Sequence, residues 1–184
     1  MKSQSLLLMA ALFTAIVAEA GDNEIKFKSP DGQFALQITP SQTSIVKLPG
    51  GDFVTKVDDM GRPFLAGKML VWSADSHGVA YYGPDRRSGT VSIFVRKDGS
   101  FEFVDLPDLP EPKFSPKHTD DCPVVGHIER PVRWLSPREL VIYYELEDEC
   151  GKKAAEEIIL ALDDNDKATI KKATAATVRQ GNGN

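Results

Sequence analysis

Val91, Ile93 and Val95 alternate with Ser92, Phe94 and Arg96, and beyond Lys97-Asp98-Gly99 the pair Phe101 and Phe103 alternates about Glu102. A period of two is that of a half-buried antiparallel sheet, and Asp-Gly between two such runs predicts a tight hairpin. The pattern is not local to this stretch. β-type runs are expected over Phe34 to Ile38, Val79 to Tyr82 and Leu140 to Leu146. Each is followed by a further strand, over Ser44 to Leu48, Thr90 to Val95 and Glu156 to Leu162. A second turn comes next, at Pro49-Gly50-Gly51-Asp52, Lys97-Asp98-Gly99 and Asp163-Asp164-Asn165-Asp166. A strand leading into a tight turn precedes the first of these runs in each group, and a fourth, closing strand ends it, over Phe53 to Val57, Phe101 to Val104 and Ala168 to Lys172. The expected fold is therefore all-β, with three four-stranded antiparallel units at about 25–57, 67–104 and 131–172 and an insertion at 105–130.

The start of each unit carries the same string in diverging form. It is clearest at Val71-Trp72-Ser73-Ala74-Asp75-Ser76-His77-Gly78-Val79-Ala80-Tyr81. Lys28-Ser29-Pro30-Asp31-Gly32-Gln33-Phe34 precedes it, and Trp134-Leu135-Ser136-Pro137-Arg138-Glu139-Leu140-Val141 follows it. Serine, proline, aspartate and glycine are turn formers, each for its own reason: a hydroxyl or carboxylate that bonds the backbone, a preset φ, or tolerance of positive φ. Lys28 and Trp72 are 44 residues apart, near the period of about 40–45 residues of a four-stranded propeller blade. Trp72 and Trp134 are 62 apart, lengthened by the insertion, and seven residues separate Trp134 from Val141 as they do Trp72 from Val79.

The middle string resembles the TolB-type, WD-like β-propeller repeat, in which W-S-P-D-G leads into an apolar strand. Ala74 and Ser76 stand where that repeat has proline and glycine, Lys28 replaces the tryptophan in the first copy, and the third copy lacks the acidic turn residue. The resemblance implies a propeller-like or partial propeller architecture. In it Trp72, Asp75, Tyr81, Trp134 and Tyr143 would serve repeat packing, as would Tyr82 and Tyr144, with an aromatic ligand platform as the functional alternative. Closed propellers have four to eight blades. Three units are thus expected either to stay open or to combine with a second chain into a six-unit homodimeric ring.

The first 20 residues follow a different logic. Lys2 precedes an apolar run from Leu6 to Val17, and Ala18-Glu19-Ala20 has the form of a cleavage site. The run is shorter than the roughly 20 residues of a membrane span, so the segment is expected to be a secretory signal peptide cut after Ala20. Net charge is −5 with both signs interspersed, which argues against a nucleic-acid partner. In an exported chain, the only two cysteines, Cys122 and Cys150, are expected to form a disulfide. The polar, alanine-rich tail at 173–184 has little to bury and is expected to be disordered.

Candidate chemistry concentrates in the insertion. Asp105-Leu106-Pro107-Asp108-Leu109-Pro110-Glu111-Pro112 favours extended polyproline geometry, and His118, Asp120, Asp121, Cys122 and His127 follow. Long loops tend to carry function. Pro107, Pro110, Phe114, His118, Asp120, Asp121 and His127 are therefore the candidate partner contacts. Imidazoles and carboxylates suit a zinc-like ion, but the spacing of His118 and His127 fits no recognised ligand motif. No G-x-S-x-G, H-E-x-x-H or phosphate-cradling motif occurs. Asp163-Asp164-Asn165-Asp166 lacks the glycine and glutamate of a calcium loop and predicts a hairpin turn. His77 and Asp85-Arg86-Arg87 read as solvated turn residues, and Glu145, Glu147 and Glu149 as the wet face of a strand end.

These readings favour a secreted or periplasmic, non-catalytic interaction module with a protein partner and no cofactor. The alternatives are an exported metal-assisted hydrolase using His118, Asp120 and His127, and an envelope protein that self-associates through open sheet edges.

Overall fold

The computed structural model describes residues 24–60, 69–85, 88–115 and 122–178. The fold is all-β. A four-stranded sheet is formed by β1 (Glu24–Lys26), β2 (Phe34–Ile38), β3 (Thr43–Lys47) and β4 (Asp52–Asp58) in sequence order. An eight-stranded sheet contains β5 (Leu70–Trp72), β6 (Gly78–Pro84), β7 (Ser88–Lys97), β8 (Ser100–Val104), β9 (Val124–Ser136), β10 (Glu139–Asp148), β11 (Lys153–Leu162) and β12 (Ala168–Ala175). Neighbouring strands run antiparallel, as the sequence pattern predicts. The exception is a two-residue parallel bridge, Ser88 opposite His127 and Gly89 opposite Ile128, which joins β7 to β9.

The alternation along β6 and β7 places two cores on opposite sides of the β5–β8 meander. Val79, Tyr81 and Phe94 pack with Phe34, Leu36, Ile38 and Ile45 of the four-stranded sheet. Ala80, Val91, Ile93 and Val95 pack with Leu140, Ile142, Ile158 and Leu160 of the β9–β12 meander. Single-residue steps along one strand thus feed two different cores, and a register slip would invert both.

Three features depart from the sequence expectations. β9 starts at Val124, inside the segment read as an insertion, because Val124 and Val125 continue the β-type run into the pairing of Val124 with Asp148. β12 continues through Ala173, Thr174 and Ala175, opposite Ile158, Glu157 and Glu156, where a disordered tail was expected to begin. Its side chains beyond Ala168 are exposed, so backbone bonding to β11 rather than burial holds it. In the third string Trp134 pairs with Leu140, not Val141, because a bulge between Glu139 and Leu140 shifts the register by one.

Candidate functional site

The two ends of the strands differ in chemistry. At one end lie the β1–β2 and β5–β6 turns, which are built alike. The Ser29 hydroxyl donates to Asp31 Oδ1 at 2.6 Å, and Asp31 Oδ1 accepts the Gln33 amide at 3.0 Å. Ser73 donates to Asp75 Oδ1 at 2.6 Å, which accepts the His77 amide at 3.1 Å. The hydroxyls of Ser29 and Ser73 in turn accept the amides of Phe34 and Gly78, at 3.0 and 2.8 Å. Gly32 and Ser76 occupy the same left-handed position, with φ of 69° and 60°.

Burial opposes ionisation of both aspartates. The hydrogen bonds of Ser29, Gln33 and Ser76 and the charge of Arg96 outweigh it at Asp31, and those of Ser73 and the His77 amide outweigh it at Asp75. Both carboxyls are held below the ordinary value of 3.8. Links between successive meanders gather at this end. The Ser76 hydroxyl accepts the Asp31 amide at 3.0 Å, Arg96 reaches Asp31 and Gln33, and His77 Nε2 lies 3.8 Å from Asp166 Oδ1. Asp163 Oδ1 accepts the amides of Asn165 and Lys167 in a hairpin turn between β11 and β12. These residues are absorbed in holding the fold.

The tryptophans perform a matching task further in. Trp72 Nε1 donates to the carbonyl of Phe27 at 2.8 Å, and Trp134 Nε1 to that of Val71 at 3.0 Å. Each acceptor immediately precedes the tryptophan-equivalent position of the previous string, Lys28 or Trp72. Tyr81 is buried and donates to Asp58 Oδ2 at 2.8 Å. Tyr143 is buried beneath the Arg130 guanidinium and donates to Glu145 Oε2 at 2.5 Å. Glu145, expected on a wet face with Glu147 and Glu149, is 4% exposed, and Lys153 Nζ donates to its other oxygen at 2.8 Å.

The opposite end holds a cleft of about 770 Å³. Tyr82, Asp85 and Ser88 of the β6–β7 hairpin form one wall. Val125, Gly126 and Ile128 of β9, with Glu147, Asp148, Glu149 and Gly151 of the β10–β11 hairpin, form the other. The parallel bridge between β7 and β9 makes the floor continuous. Tyr82 can lie flat across the strands because residue 89 is glycine: a Cβ there would sit 2.3 Å from Tyr82 Oη. Four carboxylates give the cleft a negative lining, relieved at Glu147 by Lys153 at 3.2 Å. Next to Ile128 on β9, Glu129 is half-buried. Burial raises its carboxyl above 4.5 even though the charge of His127 and the Val91 amide pull the other way. Tyr144, opposite it, is raised by burial and by the charges of Glu129 and Glu111.

The expected disulfide is formed: Cys122 and Cys150 are bonded with Cα atoms 5.9 Å apart, at the rim of this cleft. It is consistent with an oxidising, secreted or periplasmic location. Of the candidate partner contacts, Phe114 packs against the core beside Leu106 and Leu109, and Pro107 and Pro110 are half-buried. His127 is held in β9 between Ser88 and Leu146 rather than in a loop. His118, Asp120 and Asp121 lie outside the described residues, as do the signal segment and Arg86-Arg87. Among the described residues no three His, Cys, Asp or Glu side chains converge as a metal site.

The sequence reading passed over Ser88, Val125, Gly126 and Asp148. The signal that could have found them is the acidic run Glu147-Asp148-Glu149 abutting Cys150, which the disulfide carries to the start of β9. No protein-family model matches the chain, and no curated protein is significantly similar to it in sequence.

Proposed function

We propose that this chain is an exported, non-catalytic interaction module made of three blade-like units of the propeller-repeat type, and that it holds a protein partner at the cleft beside the disulfide. The observation that carries the reading is the recurrence of one inter-unit device, Trp72 to Phe27 and then Trp134 to Val71. Repetition of the bond as well as of the string is what a propagating blade stack requires. It commits one end of the strands and the conspicuous aromatics to architecture. The cleft lies at the other end of the strands, away from these inter-unit bonds. Pro107, Pro110 and Phe114 are half-buried, and we place the contact at the cleft walls.

The test is capture of proteins from an envelope or secreted fraction by residues 21–184 in non-reducing buffer, with an Asp85→Lys/Glu149→Lys variant alongside. Loss of a saturable partner in the variant, with an unchanged circular dichroism spectrum, supports the assignment. Equal capture by both chains removes the cleft from it. Light scattering on the same sample separates a partner of another kind from a second copy of this chain.

A further inference from the structure

Cys122 and Cys150 lie outside both cores. The last core side chain of β10 is Leu146 and the first of β11 is Ile158, so Cys150 sits in the hairpin end beyond the core cluster. The register between β9 and β10 breaks between Glu147 and Asp148. Beyond that break, β9 is tied to the hairpin by the pairing of Val124 with Asp148, by the Glu149 amide donating to the Pro123 carbonyl at 3.0 Å, and by the disulfide. Cys150 is exposed and Cys122 half-buried, so the bond lies at the surface, where a small dithiol can meet it. The segments that it joins, Val125–Gly126 and Glu147–Gly151, form one wall of the cleft.

We infer that the Cys122–Cys150 disulfide is a redox-sensitive latch on the cleft: oxidised, it holds the start of β9 against the β10–β11 hairpin and keeps that wall whole; reduced, it frees the wall while the two cores stay folded. The chemistry is thiol–disulfide exchange with a dithiol reductant. A thiolate attacks one sulfur, the other leaves and takes a proton, and the second thiol of the reductant closes its own disulfide. The protein thereby gains two electrons and two protons. The effect differs from the general stabilisation that any cross-link gives by restricting the unfolded chain, because losing that general stabilisation lowers protection everywhere in proportion. The regulatory meaning rests on the cleft being the binding site, but the opening itself does not.

The experiment is amide hydrogen exchange on residues 21–184, oxidised and then reduced with dithiothreitol, with Cys122→Ser/Cys150→Ser as a reductant-free control. The expected result is that the Glu149 amide and the Val124–Gly126 segment exchange at least tenfold faster, measured relative to Leu36 and Ile142, in both reduced and variant chains. Proportional loss at rim and core, or no change at the rim, overturns the latch. If the rim opens but partner capture is indifferent to reduction, the latch stands and the cleft is not the partner's site.

Discussion

Trp134 sets the six-membered ring of its indole against Gly78, where an added Cβ would stand 2.8 Å from Cη2, and is anchored at its five-membered ring through the bond from Nε1 to the Val71 carbonyl at 3.0 Å. Gly78 is therefore required by the approach of the ring and not by its backbone dihedral. An indole pinned at Nε1 has little freedom to withdraw. Gly78→Ala is expected to destabilise the fold by about 1–3 kcal/mol through overpacking. Trp134→Phe, which frees the ring edge and gives up one hydrogen bond, should cost about 1 kcal/mol and should reduce the penalty of Gly78→Ala when the two are combined. Urea unfolding of the three variants checks the coupling, and strict additivity would show that the ring does not set the requirement.

Ser76 has φ of 60° at the position that Gly32 fills in the first string, and its hydroxyl supplies a reason. It accepts the Asp31 amide at 3.0 Å, so a side chain is retained at a conformational cost of about 1–2 kcal/mol. Ser76→Ala keeps the strain and loses the bond, and is expected to be destabilising by about 1 kcal/mol or more. Ser76→Gly loses the bond and relieves the strain, and should fall within about 0.5 kcal/mol of the parent. Denaturation midpoints separate the two effects: Ser76→Ala against the parent reads the bond, and Ser76→Gly against Ser76→Ala reads the strain. An alanine variant as stable as the parent would mean that the link to Asp31 contributes nothing.

The strands were legible in the sequence because they alternate, and the turns because Ser29, Asp31, Ser73 and Asp75 are local hydrogen-bonding devices. What the chain does not spell out locally is how the four-strand groups join. The parallel bridge of Ser88 and Gly89 with His127 and Ile128 links residues far apart in sequence, and no periodicity announces it. β12 past Lys172 was missed for a related reason. Alanine and threonine with nothing to bury read as tail, yet the unpaired edge of β11 templates them. The cleft stayed hidden because that bridge and the disulfide assemble its walls from segments distant in sequence. The bulge at Glu139/Leu140 shows the limit of matching strings by spacing, since one extra residue moved the true partner of Trp134 from Val141 to Leu140.

Two sets of carboxyls should give stability opposite slopes with pH. Asp31 and Asp75 are held below 3.8, so their contribution is complete above the ordinary aspartate range and is lost as pH falls through their lower native values. Glu129 is raised above 4.5 by burial, so the native state holds its proton more tightly than the unfolded chain does. Its contribution therefore declines as pH rises from about 4.5 through the raised native value. Glu129→Gln keeps an acceptor for the Val91 amide and removes the charge. It should match the parent at pH 4, exceed it in urea midpoint at pH 8, and flatten the limb between. Asp75→Asn should flatten only the acid limb. A Glu129→Gln midpoint below the parent at pH 8 would contradict the assignment.

Glu145 is buried with the Tyr143 hydroxyl on one oxygen and the Lys153 ammonium on the other, and this triad tests how an ion pair at a sheet face is balanced. The hydrogen bond to Glu145 is the main cause that holds Lys153 above 10.5; burial opposes it as the next largest influence, and Glu147 adds to the rise. The pair is therefore intact throughout the neutral range. It begins to weaken only as pH climbs past the ordinary lysine value toward the raised one. Lys153→Met leaves the carboxylate buried with a single donor and should cost about 1–3 kcal/mol at pH 7. Removing both charges, as Lys153→Met/Glu145→Gln, leaves the Tyr143 hydroxyl an acceptor and no stranded charge, and should recover most of that loss. Thermal melts at pH 7 measure both. If the double variant is as unstable as Lys153→Met alone, the penalty comes from lost packing of the lysine stem and not from the charge that it neutralises.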